Sequence, residues 1–180
     1  MSAVDPACFL SKPCRPKGRR PMTTLSGGCQ CGAVRFRIHG KPGESSACYC
    51  RMCQKASASH ALILVSVRGN EVEWTRGEPA WFQSSNAARR GFCPACGTPL
   101  AYDAPDGLSL SVVTLDDPET CPPTIAYGVE GKLSFCDSIP SLPERNTMED
   151  ADAAGFLATL ESFQHPDHDT DRWPLENGHD

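Results

Sequence analysis

The stretch GGCQCGAVRF, Gly27 to Phe36, sets two cysteines one residue apart, between glycines and directly before an alternating, strand-like run. Cysteines this close do not readily bridge each other, so Cys29 and Cys31 call for a shared partner elsewhere. FCPACGTPL, Phe92 to Leu100, offers one. Two residues between Cys93 and Cys96 let both thiolates reach one ion about 2.3 Å away, and Gly97 can take the positive φ that closes such a turn. A tetrahedral structural zinc wants four ligands. The expected arrangement is a clamp in which Cys29, Cys31, Cys93 and Cys96 tie the first strand to a later hairpin. Two independent redox pairs, or plain buried thiols, are the alternatives.

Between the two pairs lies a trio, Cys48, Cys50 and Cys53, within ACYCRMCQK. Three thiolates within six residues, on a loop running into a helical turn near Arg51 to Ser57, can all face one ion and leave a fourth position open. Closed four-ligand zinc sites hold folds, whereas three protein ligands leave room for water or substrate. An incoming thiol bound there would lose its proton readily. A fourth ligand from His60, Cys121, Cys136 or a carboxylate would instead close the site, and a redox trio is a third option. Cys8, Cys14, Cys121 and Cys136 stand alone, and for these an ordinary free or buried thiol is the commoner state.

The chain has 180 residues and eleven cysteines. That length fits one domain with tails. No apolar run approaches the roughly 20 residues that span a bilayer, and the first 21 residues lack a signal peptide's apolar core. The reading is a soluble, cytoplasmic protein, where cysteines point to metal or redox chemistry rather than to disulfides. Residues 1–21 carry five Lys/Arg and one Asp, a charge of +4, and residues 22–143 carry ten and eleven, a charge of −1. Residues 144–180 carry two Arg and ten Asp/Glu, a charge of −8. With no basic excess in its centre, the chain is not expected to bind nucleic acid.

The core reads as mainly β. AVRFRI, ALILVSV, EVEWTR, AWFQSS, LSLSVVTL, TIAYGV and LSF show period-two or short β-rich patterns broken by Gly, Pro and Asp. The expected order is a flexible basic leader over 1–21, a zinc-binding domain over 22–143, a helical segment over 144–163 and a disordered acidic tail over 164–180. Phe156, Leu157, Leu160 and Phe163 recur at helical spacings, so one helix face should pack on the domain or on a second subunit, which leaves a homodimer open. Histidines 165, 168 and 179 are expected to be solvated.

GGCQCGAVRF, CYCRMCQKAS, RRGFCPACGTPLAY and LDDPE, in this order over roughly residues 26–143, resemble the family of the glutathione-dependent formaldehyde-activating enzyme and centromere protein V. The resemblance implies a β-tent, small antiparallel sheets stapled by zinc. It implies a structural zinc on Cys29, Cys31, Cys93 and Cys96, and a catalytic zinc on Cys48, Cys50 and Cys53 that takes the glutathione thiol. The activity it implies is that of a carbon–sulfur lyase, joining glutathione and formaldehyde into S-hydroxymethylglutathione. A zinc–thiol carrier or a structural two-zinc module are the rival functions. Arg51, Lys55, Arg89 and Arg90 are candidates to hold glutathione's carboxylates, and Tyr49 and His60 to donate a proton. Arg51, Lys55 and His60 are taken as the contacts on the thiol's side. Three positions depart from the family pattern: Ala58 where Gly is common, Thr124 where His is expected, and Phe135 in place of Trp.

Overall fold

The computed structural model describes residues 24–149 and 155–174, so the basic leader lies outside the described residues. Ten strands and one short helix follow in order: β1 (Thr24–Gly28), β2 (Arg35–His39), β3 (Ser45–Cys48), α1 (Arg51–Ser57), β4 (Leu62–Val67), β5 (Val72–Arg76), β6 (Ala80–Gln83), β7 (Arg89–Phe92), β8 (Pro99–Ala104), β9 (Gly107–Ser111) and β10 (Ile125–Tyr127). They form a three-stranded sheet, β1-β2-β5, and a seven-stranded sheet, β10-β3-β4-β9-β8-β7-β6. All pairings are antiparallel except β10 with β3. This is the expected mainly β fold of small sheets, the β-tent.

The period-two patterns work as expected on β2. Phe36 and Ile38 are fully buried, while Arg35 and Arg37 turn to the other face. Phe36 meets Trp74 of β5 edge to face, centroids 5.8 Å apart, in a geometry that aromatic quadrupoles favour. Val65, Leu100 and Leu110 complete the core, and Cys29, Cys93 and Cys121 belong to it. LSF at 133–135 is a turn rather than a strand. β1, β3, β7 and β8 went unseen in the sequence patterns; β3 and β8 carry too many small or polar residues to stand out.

The helical turn expected over Arg51–Ser57 is present with those bounds. Cys50 is its N-cap, its Sγ accepting from the Cys53 backbone N–H at 3.4 Å. Ala58 closes it at φ 51°, the one non-glycine residue with positive φ among those described. The departure from glycine noted at this position therefore has a physical cost, because a Cβ in the left-handed region costs about 1–2 kcal/mol. Ala58→Gly should raise stability by roughly 0.5–1 kcal/mol, part of the relief being lost to glycine's extra freedom in the unfolded chain. Chemical denaturation of the two proteins checks this.

The expected carboxyl-terminal helix is present at 155–157, with residues 150–154 outside the described residues, and Phe156 and Leu160 are exposed. The expectation of a free acidic tail needs correction. Pro166 cannot continue a helix, and the chain ahead of it is claimed elsewhere. Residues 164–174 lie on the domain rather than free. The His165 N–H donates to the Gln30 carbonyl at 2.7 Å, and its ring, 7% exposed, packs under Gly32. Burial, and then the charges of Arg35 and Arg76, hold this imidazole below its ordinary pKa, hence neutral, even though the Pro166 carbonyl pulls the other way. Asp169 pairs with Arg35 and Arg37 at 2.8 Å each, Arg76 donates to Thr170, and the Trp173 indole donates to the Cys31 carbonyl at 2.7 Å. Within the segment that reads as disordered, Asp169 is instead the counter-charge of Arg35 and Arg37 on β2, while Arg76 of β5 holds Thr170.

Candidate metal centres

Cys29 and Cys31 follow β1, and Cys93 and Cys96 lie in the turn between β7 and β8. Their four sulfurs lie within 4.8 Å of one another. Cys29 and Cys31 Sγ are 3.5 Å apart, Cys31 and Cys93 Sγ 3.8 Å. A disulfide would need about 2.05 Å. A tetrahedron with metal–sulfur bonds of about 2.3 Å has edges of about 3.8 Å, so these separations fit one tetrahedral ion. The Val34 N–H donates to Cys29 Sγ at 3.3 Å, and the Cys93 loop closes through Gly97, φ 79°, whose N–H donates to the Cys93 carbonyl.

Protonation tells the same story. Burial, reinforced by the Cys96 and Cys29 thiols, pushes Cys31 far up despite the Ala33 N–H. Cys96 goes down to about 6; burial opposes this, and the Thr98 hydroxyl and N–H outweigh it. Thiols so crowded cannot all ionise together, and a cation is what would make four thiolates at once.

The second cluster brings together Cys48 at the end of β3, Cys50 at the cap of α1 and Cys53 within it, again within 4.8 Å. Burial and the neighbouring thiols push Cys48 up to about 12, against the Cys50 N–H. Cys50 moves down despite burial, because the Cys53 N–H and the other two thiols donate to it. No other His, Cys, Asp or Glu among the described residues joins this group. His60 and Cys136 stay outside it, and Cys121 lies in the main core. Gly128, φ 61°, keeps the loop after β10 against Cys50; a Cβ there would stand 2.7 Å from the Cys50 nitrogen. Gln54 ties the same loops, its amide donating to the carbonyls of Tyr49 and Gly131 at 2.8 and 2.9 Å.

The two clusters differ in their surroundings. Cys29 and Cys93 of the first are packed into the main core, and Cys29 and Cys96 border a cavity of about 390 Å³; all three cysteines of the second line another, of about 380 Å³, together with Arg90, Tyr102, Tyr127, Glu44 and Asp106. Arg90 is 9% exposed and donates to Cys53 Sγ at 3.4 Å. The Tyr102 hydroxyl is held above its usual pKa, first by burial and then by Asp106, so it stays a proton donor.

Several expected contacts are not brought here. Arg51 and Lys55 are exposed, Arg51 donating to Gln54 at 3.2 Å, and neither lines the cavity. His60 leans on the Tyr49 ring, centroids 6.5 Å apart, away from the cavity. Arg89 pairs with Asp103 and stacks on Trp81. Thr124, where His was expected, only links to Glu44 and Ser45, and Phe135 is exposed. On α1 it is Met52 and Cys53 that face the cavity, while Arg51 and Lys55 turn to solvent. Tyr102 and Tyr127 had no signal of their own in the sequence.

A small β-tent holding two separate cysteine clusters, one of four thiols against the main core and one of three beside a cavity, defines a protein with two candidate metal sites. The chain belongs to the family of the glutathione-dependent formaldehyde-activating enzyme, whose family model matches residues 24–130. Among solved structures, a crystal structure of a Rhodobacter sphaeroides protein is similar at 19% identity and TM-score 0.46, covering 56% of this chain and 98% of that one. No helix among the described residues is long and apolar enough to cross a membrane.

Proposed function

We propose that the protein condenses glutathione, or a thiol like it, with formaldehyde to give S-hydroxymethylglutathione, and that each chain carries two zinc ions. The observation that carries this reading is the second cluster: three thiols, with no fourth His, Cys, Asp or Glu donor among the described residues, lining a cavity. Thiolate donors suit zinc, and three ligands leave one position for a substrate. On this reading Cys29, Cys31, Cys93 and Cys96 hold the structural ion, and Cys48, Cys50 and Cys53 the catalytic one. Zinc bound by the trio would supply a Lewis-acid position at which a thiol ionises near neutral pH.

The rest falls to the chain. The cavity collects thiol and aldehyde in one place, which replaces a bimolecular encounter with an oriented one. As the sulfur lone pair forms the S–C bond, the carbonyl π pair moves to oxygen. Tyr102, which lines the cavity and is kept protonated, gives that oxygen its proton, and solvent restores the tyrosine. The thiol's own proton leaves to solvent.

Because the addition also proceeds uncatalysed, the test is product formation followed by NMR with protein far below substrate concentration. A rate above the spontaneous one supports the enzyme. Saturable glutathione binding without turnover would make the protein a thiol carrier, and two inert zincs with no thiol binding a structural module.

A further inference from the structure

Arg90 is a buried guanidinium with no carboxylate partner. Its neighbour Arg89, on the exposed face of β7, pairs with Asp103 at 2.8 Å. No ion pair among the described residues involves Arg90. One amino group donates to Cys53 Sγ at 3.4 Å, the ring of the cross-strand Tyr102 lies 4.9 Å from Cζ, and Nε is buried with no partner. Burying an unpaired cation is expensive unless the negative charge that answers it lies in the same site. Glu44 and Asp106 line the same cavity without pairing with Arg90, so the groups in reach that can supply that charge are the Cys53 sulfur, its two neighbours and whatever enters the cavity beside them. The four-cysteine cluster has no such arginine: its sulfurs take hydrogen bonds from the Val34 N–H and pair with the Thr98 hydroxyl, both neutral.

We infer that Arg90 is the charge-selecting residue of the three-cysteine site: its guanidinium favours an anionic fourth donor, a thiolate, over a neutral one. The inference rests on the reading that the trio's fourth position is open to an exogenous ligand. It adds that the ligand is chosen by charge at the sulfur, so the substrate class is a thiol entering as thiolate, its proton released to solvent. Arg90 thus acts as a positioning residue through Cys53 and through the entering anion, and its planar fork can engage both where a lysine's point charge cannot.

The test uses the full-length, zinc-loaded chain at pH 8, comparing wild type with Arg90→Gln, Arg90→Met and Arg90→Lys. Native mass spectrometry counts zinc, and calorimetry measures affinity for two anionic probes, glutathione and thiocyanate, and one neutral probe, imidazole. The expected result is two zincs in every variant. The anion-to-imidazole affinity ratio should fall about 10- to 100-fold in both neutral variants, the worth of one charge-assisted hydrogen bond, and recover only in part in Arg90→Lys, which restores the charge but not the fork. An unchanged ratio, or equal losses for all three probes, overturns the inference. Wild type that binds thiocyanate and imidazole but no glutathione sinks the proposed thiol chemistry, while the thiocyanate ratio still decides Arg90. Wild type that binds none of the three overturns both.

Discussion

Cys96→Ser should cost the protein one zinc and about 4 kcal/mol of stability, on the order of 10 °C in melting temperature. Cys96 is only half-buried, so little of that loss comes from the core itself. It comes from the ion. Four sulfurs from two segments more than sixty positions apart converge on one point, and an ion there closes a long loop and joins β1 to the β7–β8 turn. Structural zinc sites contribute roughly 10–16 kcal/mol to folding in small domains, and serine is a far poorer zinc ligand than a thiolate. Cys29 and Cys93 are also part of the hydrophobic core, so a loosened clamp is transmitted to Phe36, Leu100 and Leu110. Zinc counting beside differential scanning calorimetry checks the result. A variant that melts within about 2 °C of wild type, well inside the spread of ordinary surface substitutions, would refute the clamp.

Cys50→Ser should behave in the opposite way. We expect a folded protein that melts within a few degrees of wild type, holds one zinc, and forms product no faster than the uncatalysed reaction. The local geometry makes this a clean substitution. Cys50 caps α1 by accepting from the Cys53 N–H, and serine is among the best residues at that position. The helix start therefore survives while one of three thiolates is lost. Cys53 is a poorer choice, because it is buried against Leu62 and Leu64 and any change there disturbs packing. Circular dichroism, zinc stoichiometry and the NMR assay together decide the outcome. If Cys50→Ser lost as much stability as Cys96→Ser, the trio would be a second structural staple and the enzyme reading would fall. The contrast between the two variants tests the division into four and three more sharply than either does alone.

The carboxyl-terminal segment shows how composition misleads. Read alone, HPDHDTDRWP is polar, acidic and full of breakers, the signature of a free tail. Yet Asp169 of that segment finds Arg35 and Arg37 on the first sheet, Thr170 takes Arg76, and His165 and Trp173 fasten the segment to the loop that carries Cys29 and Cys31. Disorder follows when a segment has nothing to bury or pair with, and a sequence window cannot see a partner more than a hundred residues away.

What the sequence determined by itself was whatever depends on short-range geometry. Spacings of one and two residues marked the cysteines as candidate ligands, and CYCRMCQK set the trio at the start of a helical turn, because reach between near neighbours is settled by bond lengths and φ/ψ. Alternation showed the mainly β core for the same reason. Only the tertiary structure decided the cavity. Arg90 of β7 meets Cys53 of α1 across 37 positions, and Tyr127 reaches the site because β10 pairs parallel to β3. Such meetings depend on strand order and register, to which residues far along the chain contribute together, so no local pattern carries them.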